Sequence, residues 1–75
     1  MTVYEYYEYL SDKADDADYV GDFDEGTRLG DEAVAFRDEH FTKEDWERLI
    51  SETDMAVGKV ALKKLMLAKF PETVN

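Results

Sequence analysis

Two threonines each stand three residues ahead of an acid: Thr2 before Glu5, and Thr42 before Asp45. At a helix N-cap a threonine hydroxyl accepts the N–H of the third helical residue, and an acid at that third position reaches back to the cap's own N–H. One helix is therefore expected to begin at Val3 and another just after Thr42. Apolar residues recur at helical spacing behind each start. Val3, Tyr6, Tyr7, Leu10, Ala14 and Ala17 form one stripe. Trp46, Leu49 and Ile50 form a second, with Phe41 placed to staple onto Trp46. A third, Val57, Ala61, Leu62, Leu65, Met66 and Phe70, predicts a helix over residues 55–70 that Pro71 stops. Tyr4, Tyr6, Tyr7 and Tyr9 surround the first helix too widely for all four to be core, so at least one ring is expected to be partly exposed.

The middle of the chain reads less regularly. Asp15-Asp16-Ala17-Asp18 is a poor helix interior and predicts a break. Asp18 is then expected to cap a short helix over residues 19–24, with Val20 and Phe23 anchoring it in the core. Gly26 and Gly30 mark a bend, and a further helical run over 31–39 carries Ala33, Val34 and Phe36. No alternating run is long enough to predict a strand. With no cysteine there is no disulfide or thiolate metal site, so apolar packing must supply the core. The expected fold is all-α: a small compact bundle of four to five short helices, one domain over residues 1–75.

Charge is the strongest compositional feature. Nineteen acids against nine bases give −10. Residues 1–54 hold eighteen acids and five bases, a balance of −13; residues 55–75 hold one acid and four bases, a balance of +3. Direct nucleic-acid binding is not expected, because phosphate contacts need Lys and Arg and the acids outnumber them. No stretch approaches the roughly 18–20 apolar residues of a membrane span. The acidic, aromatic start is unlike a signal peptide, so a cytoplasmic location is expected.

Most site chemistries fail on spacing. An EF-hand loop needs oxygen ligands at positions 1, 3 and 5, Gly at 6 and Glu at 12. Counted from Asp16, Val20 falls at 5 and Thr27 at 12; counted from Asp22, Gly26 and Thr27 fall at 5 and 6. No metal or cofactor is expected. His40 is the single histidine, at a helix boundary, and no serine is spaced to make a triad with it. The segment Gly26-Thr27-Arg28-Leu29-Gly30-Asp31-Glu32 lacks the Lys of a phosphate loop, and its acids repel phosphate. The chain is expected not to be an enzyme.

Three short motifs carry a family resemblance. Tyr4-Glu5-Tyr6-Tyr7-Glu8-Tyr9-Leu10, then Val20-Gly21-Asp22-Phe23, then Phe41-Thr42-Lys43 ahead of Trp46 and Ile50 resemble, in order, the small YozE-like proteins. The match covers most of residues 3–52. It departs from the family at Asp24, where Ala is usual, and at Thr42, where Pro is usual. The resemblance implies a SAM-like helical fold and lends architecture, not a function; the alternative function expected is a SAM-like protein-interaction or oligomerisation module of undefined role. In that module the basic last helix of one copy meets the acidic first half of another.

Binding is the function class that remains. A 75-residue globule has a radius of gyration of about 11 Å and is thus roughly 30 Å across. Duplex DNA carries about 18 charges over that length, comparable to the eighteen acids of residues 1–54. The leading expectation is an acidic inhibitor-type protein that mimics nucleic acid and blocks a basic, nucleic-acid-binding protein. In size and charge it resembles phage or mobile-element inhibitors of host nucleases, anti-CRISPR proteins included. The expected contact residues are Asp15, Asp16, Asp18, Asp22, Asp24, Glu25, Asp31 and Glu32, on a monomer or weak homo-oligomer.

Overall fold

The computed structural model describes residues 1–71. The fold is all-α, with α1 (Val3–Tyr19), α2 (Phe23–His40), α3 (Lys43–Glu52) and α4 (Ala56–Lys69), and no strand among the described residues. The chain groups into two compact units, the first over Met1–Phe41 and the second from Thr42 onward. In the first unit α1 packs on α2; in the second α3 packs on α4.

Both capping boxes form. The Thr2 hydroxyl accepts the Glu5 N–H at 3.1 Å, and Glu5 accepts the Thr2 N–H at 2.9 Å. At α3 the Thr42 hydroxyl accepts the Asp45 N–H at 3.2 Å, and Asp45 accepts the Thr42 N–H at 3.1 Å. At the other end of the chain α4 stops at Lys69, where Pro71 bars Phe70 from helical geometry.

The break expected at residues 15–18 is absent: α1 runs through them to Tyr19. Each aspartate costs a helix only a few tenths of a kcal/mol, too little to end one against its packing. The reversal comes later. Gly21 has φ +87°, the left-handed region open to glycine. Its N–H donates to the Asp18 carbonyl at 3.1 Å, and the Asp22 N–H donates to the Ala17 carbonyl at 2.9 Å. Those two bonds make a Schellman cap. Asp22, not Asp18, then caps the next helix, its carboxylate accepting the Glu25 N–H at 3.3 Å. One helix ends and the next begins within three residues.

The bend expected at Gly26 and Gly30 is also absent, since α2 is continuous through both. Gly26 serves close approach instead. A Cβ there would meet the Asp18 carboxylate and lie 3.3 Å from the Ala14 carbonyl, so α1 backbone crosses directly over it. Ala14 and Ala33 are buried as well.

The far end of this hairpin is wide and aromatic. Phe41 stacks on Tyr4 at 5.5 Å and meets Tyr7 edge-on at 5.1 Å; Tyr6 stacks on Phe36 at 4.7 Å. Each such pair adds about 0.5–1.5 kcal/mol beyond the area it buries. Phe41 thus packs its ring on α1. Of Tyr4, Tyr6, Tyr7 and Tyr9, Tyr4 is buried and Tyr9 exposed, so the ring expected outside is Tyr9; Val3, placed on the inward stripe, is exposed.

In the second unit Trp46 is fully buried and Met66 nearly so, with Leu62 and Phe70 half-buried. Val57, Ala61 and Leu65, expected to face inward, are exposed. The helix α4 is apolar around most of its circumference, and one packed face cannot take every apolar residue.

The two hairpin glycines have opposite expected responses. Nothing lies within 4 Å of a Cβ on Gly30. Gly30→Ala should therefore stabilise the protein by about 0.5–1 kcal/mol through helix propensity. Gly21→Ala should destabilise it by about 1–2 kcal/mol, the cost of placing a Cβ in left-handed geometry. Urea unfolding of both variants checks the continuous α2 and the Gly21 reversal together.

Candidate binding site at the hairpin tip

The turn brings two acidic segments together. Asp15, Asp16 and Asp18 end α1, and Asp22, Asp24 and Glu25 begin α2, separated by the reversal at Val20-Gly21. Asp31 and Glu32 lie further along α2, about 10 Å beyond Asp24 by helix rise. The sequence-predicted residues thus divide into six at the tip and two on the α2 flank.

They also differ in what holds them. Glu25 and Glu32 flank Arg28: its Nε donates to Glu25 at 2.8 Å, a second guanidinium nitrogen contacts the same oxygen, and Nη1 reaches Glu32 at 3.4 Å. The hydrogen bond and charge of Glu25, with Glu32 adding less, raise the Arg28 pKa above its ordinary value. Two of the eight acids are therefore already matched by a cation. Asp22 is engaged as a cap, and Asp18 lies against Gly26. Asp15, Asp16, Asp24 and Asp31 are exposed, and none takes part in an ion pair among the described residues.

Three apolar side chains stand among these acids. Tyr19 is 92% exposed, Val20 77% and Phe23 67%. Sequence periodicity placed Val20 and Phe23 in the core; the structure puts both outside. The cause is the turn. Val20 is the C-cap of α1 and Phe23 the first residue of α2, so both precede the small-residue seam at Gly26 instead of filling it.

The row of acids continues up α1. Glu5, Glu8, Asp12, Asp15 and Asp16 recur every three or four residues and so share one face, with Tyr9 beside them and Tyr19 at the end. All seven are exposed. Five carboxylates over the twelve residues from Glu5 to Asp16, about 16 Å of helix, give roughly one per 4 Å. A DNA strand presents one phosphate per ~3.4 Å of helix axis. Lys13 lies at the edge of this face, its Nζ 5.6 Å from the Tyr9 ring centre. The contact residues expected from sequence leave out Glu5, Glu8, Tyr9, Asp12 and Tyr19, although the i, i+3, i+4, i+7 spacing of Asp12, Asp15, Asp16 and Tyr19 carries the signal.

The placement of Asp16 and Asp18 is costly. Both lie in the last turn of α1, which holds no base, so they oppose the helix dipole. Asp18 is offset by the N-terminal end of α2 beside it, but Asp16 points along the outer face.

Other chemistry is spread thinly. His40 closes α2 with its ring 4.6 Å from Phe36 and its Nε2 3.9 Å from the Glu39 carboxylate. Among the described residues no three His, Cys, Asp or Glu side chains converge as a metal site would need. Within the second unit an open groove of about 300 Å³ is lined by Glu47, Ile50, Ser51, Lys63 and Met66. No helix among the described residues is long and apolar enough to cross a membrane. No family model, no curated protein and no solved structure matches this chain.

Asp16→Lys should stabilise the fold by about 0.5–2 kcal/mol, because it replaces an opposing charge at the α1 terminus with a favourable one. Asp22→Ala should cost about 1 kcal/mol through loss of the cap. Thermal unfolding of the two variants separates the outward acid from the structural one.

Proposed function

We propose that this protein is a non-enzymatic binding protein whose acidic hairpin docks on a basic, nucleic-acid-binding protein and blocks its nucleic-acid surface. One observation carries the reading: the outer face of α1 sets carboxylates at nearly the spacing of a phosphate strand, with Tyr9 and Tyr19 among them. Tyrosines supply rigid contact area at low entropic cost, and interfaces concentrate their binding energy on such residues. Carboxylates around them supply steering and register toward a basic surface. The exposed Phe23 and Val20 extend the apolar part of the contact across the turn. Asp15, Asp16 and Asp24, which take part in no ion pair among the described residues, carry more of the contact than Glu25 and Glu32, which Arg28 already engages. A small acidic domain of this kind suits an inhibitor of a host nuclease, such as phages and mobile elements carry.

The test is capture from a lysate on immobilised protein at low salt, followed by mass identification. A basic nucleic-acid-binding protein should be retained on the wild type and released as salt rises. The Asp15→Lys/Asp16→Lys variant should retain at least tenfold less of it while unfolding at no lower temperature. The captured protein should also lose DNA or RNA binding when the wild type is added. Equal retention on the variant, or release that does not respond to salt, would refute the reading.

A further inference from the structure

The aromatic rings of the hairpin divide into two sets. Tyr4, Tyr6, Tyr7, Phe36 and Phe41 are engaged in ring pairs within it. Tyr19 and Phe23 take part in no ring pair among the described residues, and both stand in water beside the exposed Val20. Apolar side chains gathered in water mark a contact surface. The charge around this one has a single sign. Asp15 and Asp16 lie one helical turn before Tyr19 on its own face, and Asp22 and Asp24 flank Phe23 in sequence. Residues 14–27 contain no Lys, Arg or His. The surface that fits this patch therefore receives flat rings at its centre and is basic at its rim.

A basic surface built for a duplex differs from one built for a single strand. In a duplex the bases are paired between two phosphate rows, so a protein outside it meets phosphates and groove edges. A single strand exposes the flat faces of its bases, and proteins that hold it stack those faces on aromatic side chains or Arg planes along a basic groove. Carboxylates alone imitate either form. Two free rings beside them imitate the single strand. The acids on the outer face of α1 also make one row, as the phosphates of one strand do. We infer that the protein blocked is one that binds single-stranded nucleic acid. Tyr19 and Phe23 enter the places where unpaired bases stack, and Asp15, Asp16 and Asp24 meet the basic groove that tracks the phosphates. The inference rests on the proposed function and narrows its partner. Stacking tolerates every base, so the block extends to all single-stranded sequences the partner holds.

Displacement measured on the captured basic protein tests this, with labelled oligothymidylate, oligouridylate and a duplex of the same length as probes. Wild type should displace at least one of the two single strands. Displacing the duplex should take at least about tenfold more of it, since duplex binding offers no place for a stacked ring. A captured protein that holds a single strand and no duplex gives the same support. Tyr19→Ala/Phe23→Ala should keep its helical circular dichroism and need at least about tenfold more protein for the same displacement, because each stacked ring contributes roughly a factor of five or more. Should Phe23→Ala loosen the start of α2, Tyr19→Ala alone reads the same contact, and Tyr19→Phe should recover most of its loss. Displacement of the duplex at the same concentration as the single strands, or of the duplex alone, overturns the inference and leaves the proposed function standing. A ring variant as potent as wild type does the same. Capture with no probe displaced, or capture of no nucleic-acid-binding protein, overturns both.

Discussion

The left-handed backbone at Gly21 decides what the acidic half of this protein is. Its φ of +87° closes two Schellman bonds on α1 and leaves Asp22 positioned to cap α2. No residue with a Cβ takes that geometry without strain. Because the reversal is so short, the C-terminal acids of α1 and the N-terminal acids of α2 lie within a few residues of each other along the chain. Tyr19, Val20 and Phe23 are carried outward by the same turn. The binding surface proposed for this protein is thus a consequence of one glycine and one cap.

That crowding works against the fold, and the rest of the hairpin supplies the compensation. Like charges gathered at a tip repel, and Asp16 also opposes the helix dipole. Against this stand the close seam at Gly26 and Ala14 and the rings at the wide end, where Phe41, Tyr4 and Tyr7 meet. The hairpin tapers from large residues to small ones, and the acids sit beyond the narrow end. A charge kept where it weakens its own helix is more readily understood through a partner than through solubility, which an acid elsewhere on the surface would serve equally well.

Much of this was legible in the sequence because it is local. Thr2 with Glu5, Thr42 with Asp45, and Pro71 mark three helix ends through contacts that span four residues or fewer. The Glu25–Arg28–Glu32 set is readable in the same way. The turn was misread because the aspartates at 15–18 carry a low helix propensity, while the stronger signal, a glycine followed by a capping acid at Gly21-Asp22, stood three residues later. Val20, Phe23, Val57 and Leu65 were misplaced for one shared reason. Periodicity reports which residues are apolar, whereas exposure depends on which face a neighbour covers. Gly26 looked like a bend because a close approach between helices leaves no mark in the sequence beyond the glycine itself.

The central claim is that the hairpin tip and the outer face of α1 form the partner surface. Amide hydrogen exchange of the full chain, alone and with the captured basic protein, tests this most directly. The account predicts added protection over residues 15–25 and along the exposed side of α1, with α3 unchanged. Protection confined to the groove lined by Glu47, Ser51 and Lys63, with none at Tyr19–Glu25, would contradict it.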